Sequence, residues 1–179
     1  PGKMMDRYGV DGFRYFLLSE GRISADADFS EDKVEAVLNE LANTLGNLHL
    51  RCTSNRMCPN STAPPASELD CLSEADTTMI ERVSEGVGRI TTFYNAGNFS
   101  RGLDEVMLML HAANQYFDHA QPWVLAKTAS TDEEAARRLA STVYVSLEAV
   151  RIGAVALFPV CPETARALLQ RLGCSKNPE

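Results

Sequence analysis

The chain has 179 residues, of which 17 are basic and 24 acidic, so its formal net charge at pH 7 is −7. This charge excludes RNA binding that depends on broad phosphate neutralisation, because such binding needs an excess of lysine and arginine. No apolar run approaches the roughly 20 residues of a membrane span, and the five widely spaced cysteines do not suggest a disulfide framework. We therefore expect a soluble protein of a reducing compartment, folded as one domain or as one piece of a longer chain.

Helical spacing of apolar residues recurs along the sequence, and no stretch sustains the alternation that is typical of a strand. Asp11 is predicted to cap a first short helix that ends at Gly21, and Ser30 is predicted to cap a long second helix. The apolar stripe of this second helix consists of Val34, Val37, Leu38, Leu41, Leu45 and Leu48. The pattern predicts an all-α helical bundle.

Capping residues and prolines predict where the later helices begin and end. Residues 58–70 contain three prolines and are predicted to form a loop. Two capping boxes, Ser73 with Asp76 and Thr131 with Glu134, predict helix starts. Further boundaries are predicted as ends near Gly97, Pro122, Pro159 and Gly173 and as starts at Ser100 and Pro162.

The residue types that usually carry catalysis or bind metals are not arranged for either task. The three histidines and five cysteines lack the spacing of a zinc motif. Gly86 and Gly88 lie in a helical pattern, without the preceding strand and following Lys-Ser/Thr pair of a phosphate loop, so we expect them to allow close helix packing. We predict no catalytic residue and no metal ligand in this chain, and a binding role instead.

The segment between Glu40 and Glu68 contains no acidic residue, although it includes Arg51 and Arg56. On a helical projection with about 100° per residue, Asn47 and Arg51 point away from the apolar stripe. Asn and Arg four residues apart offer hydrogen-bond donors and acceptors of the kind that read base edges, whereas a solvated polar face is the commoner meaning of such a pair. The local surface therefore remains compatible with RNA, with a modest salt dependence.

Trp123 is the only tryptophan, and it directly follows Pro122 at a predicted helix end. Most tryptophans lie in the core, but one at the corner of a helix end can also serve as a stacking platform for an unpaired base. Trp123 thus joins Asn47 and Arg51 as a candidate binding residue.

Four segments occur in an order and spacing that are specific together. Residues 8–18 contain Y-G-x-D-x-x-R-Y, residues 45–53 contain Asn47 and Arg51, residues 114–123 contain N-x-Y followed by P-W, and residues 157–165 read L-x-P-x-x-P-x-x-A. Together they resemble the C-terminal, anticodon-binding part of methionyl-tRNA synthetases, most closely the mitochondrial form. The HIGH and KMSKS motifs of the catalytic domain in this family are absent, so we expect the chain to be a fragment.

The resemblance implies that Asn47 and Arg51 hydrogen-bond anticodon bases and that Trp123 stacks on one of them. It implies that residues 1–29 are a stem-contact segment connected to a catalytic domain outside this chain, and that residues 30–179 are the anticodon-binding helical bundle. The fragment would hold no cofactor and catalyse nothing alone. The parent enzyme would use ATP with Mg to attach methionine to tRNA(Met).

The expected partners are tRNA(Met) and the chain's own catalytic domain, with no membrane association and a monomeric state. The mitochondrial matrix is the expected location, and the bacterial cytoplasm is the alternative. Two other functions stay open on the sequence. They are the equivalent domain of a cysteinyl, valyl, isoleucyl or leucyl synthetase, and an all-α protein-interaction module.

Overall fold

The computed structural model describes residues 2–20, 29–59, 63–64 and 72–174. Every regular element in these ranges is helical, so the all-α prediction is confirmed. In chain order the elements are α1 (Gly2–Glu20), α2 (Glu31–Leu41), a π-turn (Ala42–Gly46), α3 (Asn47–Cys52), α4 (Glu74–Asn95), α5 (Phe99–Ala120), α6 (Pro122–Thr128), α7 (Glu133–Leu157) and α8 (Pro162–Arg171).

The core lies where α4, α5 and α7 pack pairwise against one another, with α3 added on α7 and α1 on α5. Side chains with almost no solvent exposure line this contact, and complete burial of each large apolar one contributes about 1.5–3 kcal/mol relative to exposure. The largest of them are Phe117, Leu48, Leu103, Leu110, Leu157, Val106, Val143 and Val150. The bundle is therefore held mainly by apolar stripes that face inward, as their spacing predicted.

Helix α7 is the most apolar long helix in the described part of the chain. Its 25 residues are sufficient in length and composition to cross a membrane, but 56% of its most apolar window is buried against the rest of the protein. A helix that is apolar on most sides and covered by neighbours is typical of a bundle core.

The predictions for two helix starts are confirmed. The Ser30 side chain accepts a hydrogen bond from the backbone N–H of Lys33 at the start of α2. At α4, the Asp76 N–H donates to Ser73 Oγ (3.2 Å) and the Ser73 N–H donates to Asp76 Oδ2 (2.7 Å), which completes the capping box. Both motifs act over three residues, so the local sequence suffices to place them.

Two other helix starts were predicted at the wrong residue. The cap of α5 was predicted two residues too late, and the cap of α7 was predicted one residue too early. Helix α5 is capped by Asn98. Ser100 lies in its first turn, where its hydroxyl donates a hydrogen bond to Asn98 Oδ1 (3.3 Å). Helix α7 is capped by Asp132, while the Thr131 hydroxyl donates to the carbonyl of the preceding turn. In each case two residues able to cap lie within two positions of each other, and the one whose oxygen reaches the free N–H groups does so.

The prediction that Asp11 caps its own helix is wrong. Helix α1 already includes Asp11 and bends at Gly9, where φ is 74°. The buried Asp11 carboxylate instead accepts a hydrogen bond from the Thr164 N–H (2.8 Å) in the first turn of α8, and Arg14 donates to the Val160 carbonyl (3.0 Å). We call these two contacts the α1–α8 clamp, because they fasten the first helix to the last.

The remaining predicted helix ends agree with the structure where it describes them. Helix α4 ends before Gly97, α7 ends before Pro159 and α8 ends before Gly173. The predicted end at Gly21 and most of the predicted loop at residues 58–70 lie outside the described residues.

Close helix packing was predicted at Gly86 and Gly88, and of these two it occurs only at Gly86. Gly86 is buried, and a Cβ there would lie 3.7 Å from Met109, whereas Gly88 is exposed with open space around it. The tightest approach is at Gly102, where a Cβ would lie 2.2 Å from the Tyr94 ring. Glycine at 102 therefore lets α5 pack against α4 at the level of this tyrosine.

Candidate nucleic-acid interface

The candidate residues Asn47 and Arg51 belong to a helical run that is not straight. Between α2 and α3 the chain makes the π-turn, which contains one residue more than an α-helical turn. An extra residue changes the direction of the following side chains by about 100° relative to a continuous α-helix. Thr44 and Leu45 are buried within the turn, and Asn47 directly after it is exposed.

Arg51 lies on the last turn of α3 and contacts the end of α5. Its guanidinium group pairs with the carboxylate of Asp118. The same group lies 4.8 Å from the centroid of the Phe117 ring and 5.8 Å from that of the Trp123 ring. Cation–π attraction and the ion pair together hold the guanidinium, while the side chain remains 37% exposed.

Trp123 reaches this place because the chain turns sharply between α5 and α6. Gln121 has a left-handed backbone (φ 47°) that ends α5, and Pro122 begins α6. Trp123 is half-buried, with its ring centroid 6.3 Å from that of Phe117 and the two planes inclined by 51°. One part of the indole is thus supported by the core and another part remains accessible.

Asn47 is exposed one helical turn before Arg51, and its side-chain amide donates to the side chain of Asn43 at 3.3 Å. The structure therefore places Asn47 and Arg51 on the outside of the same short helix and brings Trp123 beside Arg51. We call Asn47, Arg51 and Trp123 the candidate site.

Sequence reasoning missed two residues of this surface. Phe117 fitted the apolar stripe of its helix, and the ring that supports Arg51 is indeed buried at 1% exposure. Asp118 lies 67 residues from Arg51 in sequence, so no local pattern indicated the ion pair. The sequence around Arg51 contains no acidic residue, but the folded surface around Arg51 does contain a carboxylate, because Asp118 of α5 lies beside it.

Two titratable side chains next to the candidate site belong to the core instead. Burial, with a smaller contribution from Arg171, lowers the pKa of His49. Burial, assisted by Cys58, raises the pKa of Cys52 to about 12. Within the described residues, no group of three or more His, Cys, Asp or Glu side chains is arranged to hold a metal ion.

Two family models match the chain. The anticodon-binding domain of methionyl tRNA ligase matches residues 66–178, and the class I tRNA synthetase model designated M matches residues 1–53. The methionine–tRNA ligase of Mycobacterium tuberculosis is 34% identical over 178 residues, which are 99% of this chain and 34% of that protein. The mitochondrial methionine–tRNA ligase of Mus musculus is 33% identical over 188 residues, covering 98% of this chain and 32% of that protein.

A solved structure agrees with these relatives. The crystal structure of Mycobacterium tuberculosis methionyl-tRNA synthetase bound by methionyl-adenylate has a TM-score of 0.88 and 34% sequence identity to this chain. The match covers 98% of this chain and 34% of that one, so the chain spans about a third of the length of its relatives. Because the anticodon-binding model matches more than half of its residues, the chain belongs to the methionyl-tRNA ligase family and carries the anticodon-binding domain of that family.

Proposed function

We propose that this protein recognises the anticodon of tRNA(Met) within a methionine–tRNA ligase, and that the candidate site is where the bases bind. Asn47 and Arg51 hydrogen-bond base edges, and Trp123 stacks on one base. The observation that carries this proposal is the position of the Arg51 guanidinium, 5.8 Å from the Trp123 ring centroid on an accessible face. Stacking and edge recognition are thereby available at one place.

Recognition of unpaired bases uses these two interactions and does not need a large basic surface. Stacking of a base on an aromatic ring contributes about 1–3 kcal/mol. The Phe117 ring already supports the Arg51 guanidinium, so less rotamer freedom is lost when a base binds than with a free arginine. A net charge of −7 is compatible with such a reader, because phosphate neutralisation is not its main source of affinity.

The rest of the proposal concerns the parent enzyme. Residues 1–29 act as the stem-contact segment and residues 30–179 as the anticodon-binding bundle. A catalytic domain beyond this chain uses ATP with Mg to activate methionine and transfers it to the tRNA. The enzyme is a monomer of the mitochondrial matrix; bacterial ligases also occur among the relatives, which makes the bacterial cytoplasm the alternative.

The first experiment replaces Trp123 by alanine in the full-length enzyme. We expect kcat/KM for tRNA(Met) charging to fall by about tenfold or more, because a stacking contact is lost. Methionine-dependent ATP–pyrophosphate exchange without tRNA should be unchanged. The control is Val124→Ala, which shortens the adjacent side chain, itself 46% exposed. Equal loss of charging and exchange would contradict the role of Trp123.

Anticodon variants separate this proposal from a protein-interaction module. A filter-binding titration compares the full-length enzyme with tRNA(Met) and with the same tRNA carrying a changed anticodon. We expect the affinity to depend on the anticodon and this dependence to disappear in Trp123→Ala. A domain that binds both RNAs equally is not an anticodon reader.

A further inference from the structure

The π-turn changes which neighbour each half of the α2–α3 run contacts. Helix α2 packs against α1, the π-turn packs against α5, and α3 packs against α7. A straight α-helix presents one stripe along its whole length, so it would direct both halves toward the same side. The offset of about 100° produced by one extra residue lets α3 bury its apolar side elsewhere.

The same offset determines where the outward face of α3 points. Leu48 and Cys52 are fully buried, so the orientation of α3 about its own axis is fixed by packing. Asn47 and Arg51 lie about 100° around the helix axis from Leu48 and Cys52, on an accessible flank of α3, and in this orientation Arg51 contacts Phe117 and Trp123. The geometry of the candidate site therefore depends on the π-turn being maintained.

Asn114 contacts the π-turn from another helix. Its side-chain amide nitrogen donates to the Thr44 carbonyl at 2.9 Å and to the Leu110 carbonyl, one turn earlier in α5, at 3.0 Å. Thr44 is only 6% exposed and the hydrogen bond to its carbonyl is partly buried, so the loss of this partner is costly. Asparagine is also a poor helix former, and it stands well inside the 22 residues of α5. These observations indicate a specific task for its amide.

We propose that Asn114 is a positioning residue for anticodon recognition. Its amide joins α5 to the π-turn, and the π-turn directs Asn47 and Arg51 toward the bases. Asn114 itself does not contact RNA. This inference rests on the proposed function and adds to it a residue that holds the π-turn from which the hydrogen-bonding helix α3 begins.

The test uses Asn114→Leu in the full-length enzyme, because leucine has a similar size, no donor and no added charge. We expect KM for tRNA(Met) to rise by about fivefold, the scale of one lost hydrogen bond, with kcat and ATP–pyrophosphate exchange unchanged. Asn114→Asp, which also loses the donor, should raise KM similarly. Asn114→Gln keeps the donor and should recover part of the affinity. The matched control is Asn95→Leu, the same substitution at the last residue of α4.

Non-additivity separates positioning from general destabilisation. If Asn114 acts through Asn47 and Arg51, the free-energy loss of tRNA binding in the double variant Asn114→Leu with Arg51→Gln should be smaller than the sum of the two single losses. Additive losses, or losses that follow the melting temperature of each variant, would overturn the inference. If one Asn114 variant does not fold, the other is measured, and failure of both to fold shows that Asn114 is needed for stability and also overturns it.

Measuring Trp123→Ala beside Asn114→Leu separates the proposed function from the positioning role of Asn114. Normal tRNA affinity in both Asn114→Leu and Trp123→Ala would remove the proposed function itself. Normal affinity in Asn114→Leu together with a loss in Trp123→Ala would remove only the positioning role.

Discussion

Two pairs of aspartate and arginine at different places in the bundle are used in opposite ways. In the α1–α8 clamp, the Asp11 side chain is 10% exposed and its partners include a backbone N–H of α8. Beside the candidate site, the Asp118 side chain is 58% exposed and pairs with Arg51, which is itself accessible. In the clamp, both charged side chains form hydrogen bonds to backbone groups of the protein. Arg51 instead pairs with the exposed Asp118 carboxylate, and we expect a ligand to be able to replace that carboxylate.

From this difference we expect the first pair to stabilise the fold and Arg51 of the second pair to be available for binding. Removing a buried partner leaves polar groups without hydrogen bonds, which costs several times more than removing an exposed ion pair. Exposed pairs contribute about 0–1 kcal/mol. The first three predictions below test this contrast, and the fourth concerns a buried histidine behind the candidate site.

The largest effect on stability is expected for Asp11→Ala. It should lower the free energy of unfolding by about 2 kcal/mol, because the first turn of α8 loses the buried carboxylate that caps it. Asp118→Ala, the same substitution in the candidate site, should lower it by less than about 1 kcal/mol. Urea unfolding of both variants measures the difference. Equal losses would remove the contrast between the two pairs.

Arg51→Gln should reduce kcat/KM for tRNA charging by about tenfold, because a charged hydrogen-bond donor to a base is lost, while the melting temperature moves by less than about 3 °C. The control is Arg101→Gln. Arg101 lies at the opposite end of α5, and its guanidinium is 5.1 Å from the centroid of the Phe93 ring in α4. If unfolding accounts for the whole loss of charging, Arg51 is a structural residue.

Asp118→Ala should bind tRNA about threefold to fivefold more tightly, since Arg51 is released and a carboxylate near the RNA is removed. The modest salt dependence expected for the unmodified protein should become steeper in this variant. Filter binding at several salt concentrations measures both effects. Weaker binding would mean that Asp118 mainly orients Arg51 and does not compete with the RNA.

The smallest effect concerns pH. Burial lowers the pKa of His49 below its ordinary value of 6.5, and Nδ1 has no hydrogen-bond partner among the described residues. Near and below pH 6.5 the unfolded chain takes up a proton that the folded state resists, so stability falls as the pH decreases through this value. His49→Gln should show a shallower fall, and the exposed His119→Gln should not. Identical pH profiles for all three proteins would contradict this prediction.

Features set by neighbouring residues were predictable from the sequence. Ser30 and the Ser73–Asp76 capping box act over three residues, and the all-α architecture follows from the periodicity of the apolar residues. Asp11 was misassigned because its partner Thr164 lies 153 residues away. A carboxylate near a helix start suits a local cap and a distant one equally well, and only the folded chain distinguishes them.

The candidate site was predicted in part. Asn47 and Arg51 were correctly placed on an outward face, because the apolar residues Leu45 and Leu48 are buried and leave this flank accessible. The π-turn was not predicted, since apolar residues spaced three and four apart fit a straight helix as well. Asp118 and Asn114 act across helices, and no periodicity indicates such contacts. The assignment of Asn47, Arg51 and Trp123 to base recognition stays a prediction until the variants above are measured.

The buried thiols make it possible to observe the opening of the two regions separately. Cys52 lies in α3 behind Arg51, and Cys161 lies at the start of α8, with its thiol 3.6 Å from the Asp11 carbonyl. Burial raises the pKa of each thiol to about 12, so a thiol reagent at neutral pH finds neither an accessible sulfur nor a reactive thiolate. The rate at which each cysteine is alkylated therefore reports on local opening, with Cys52 reporting on α3 and Cys161 on the α1–α8 clamp.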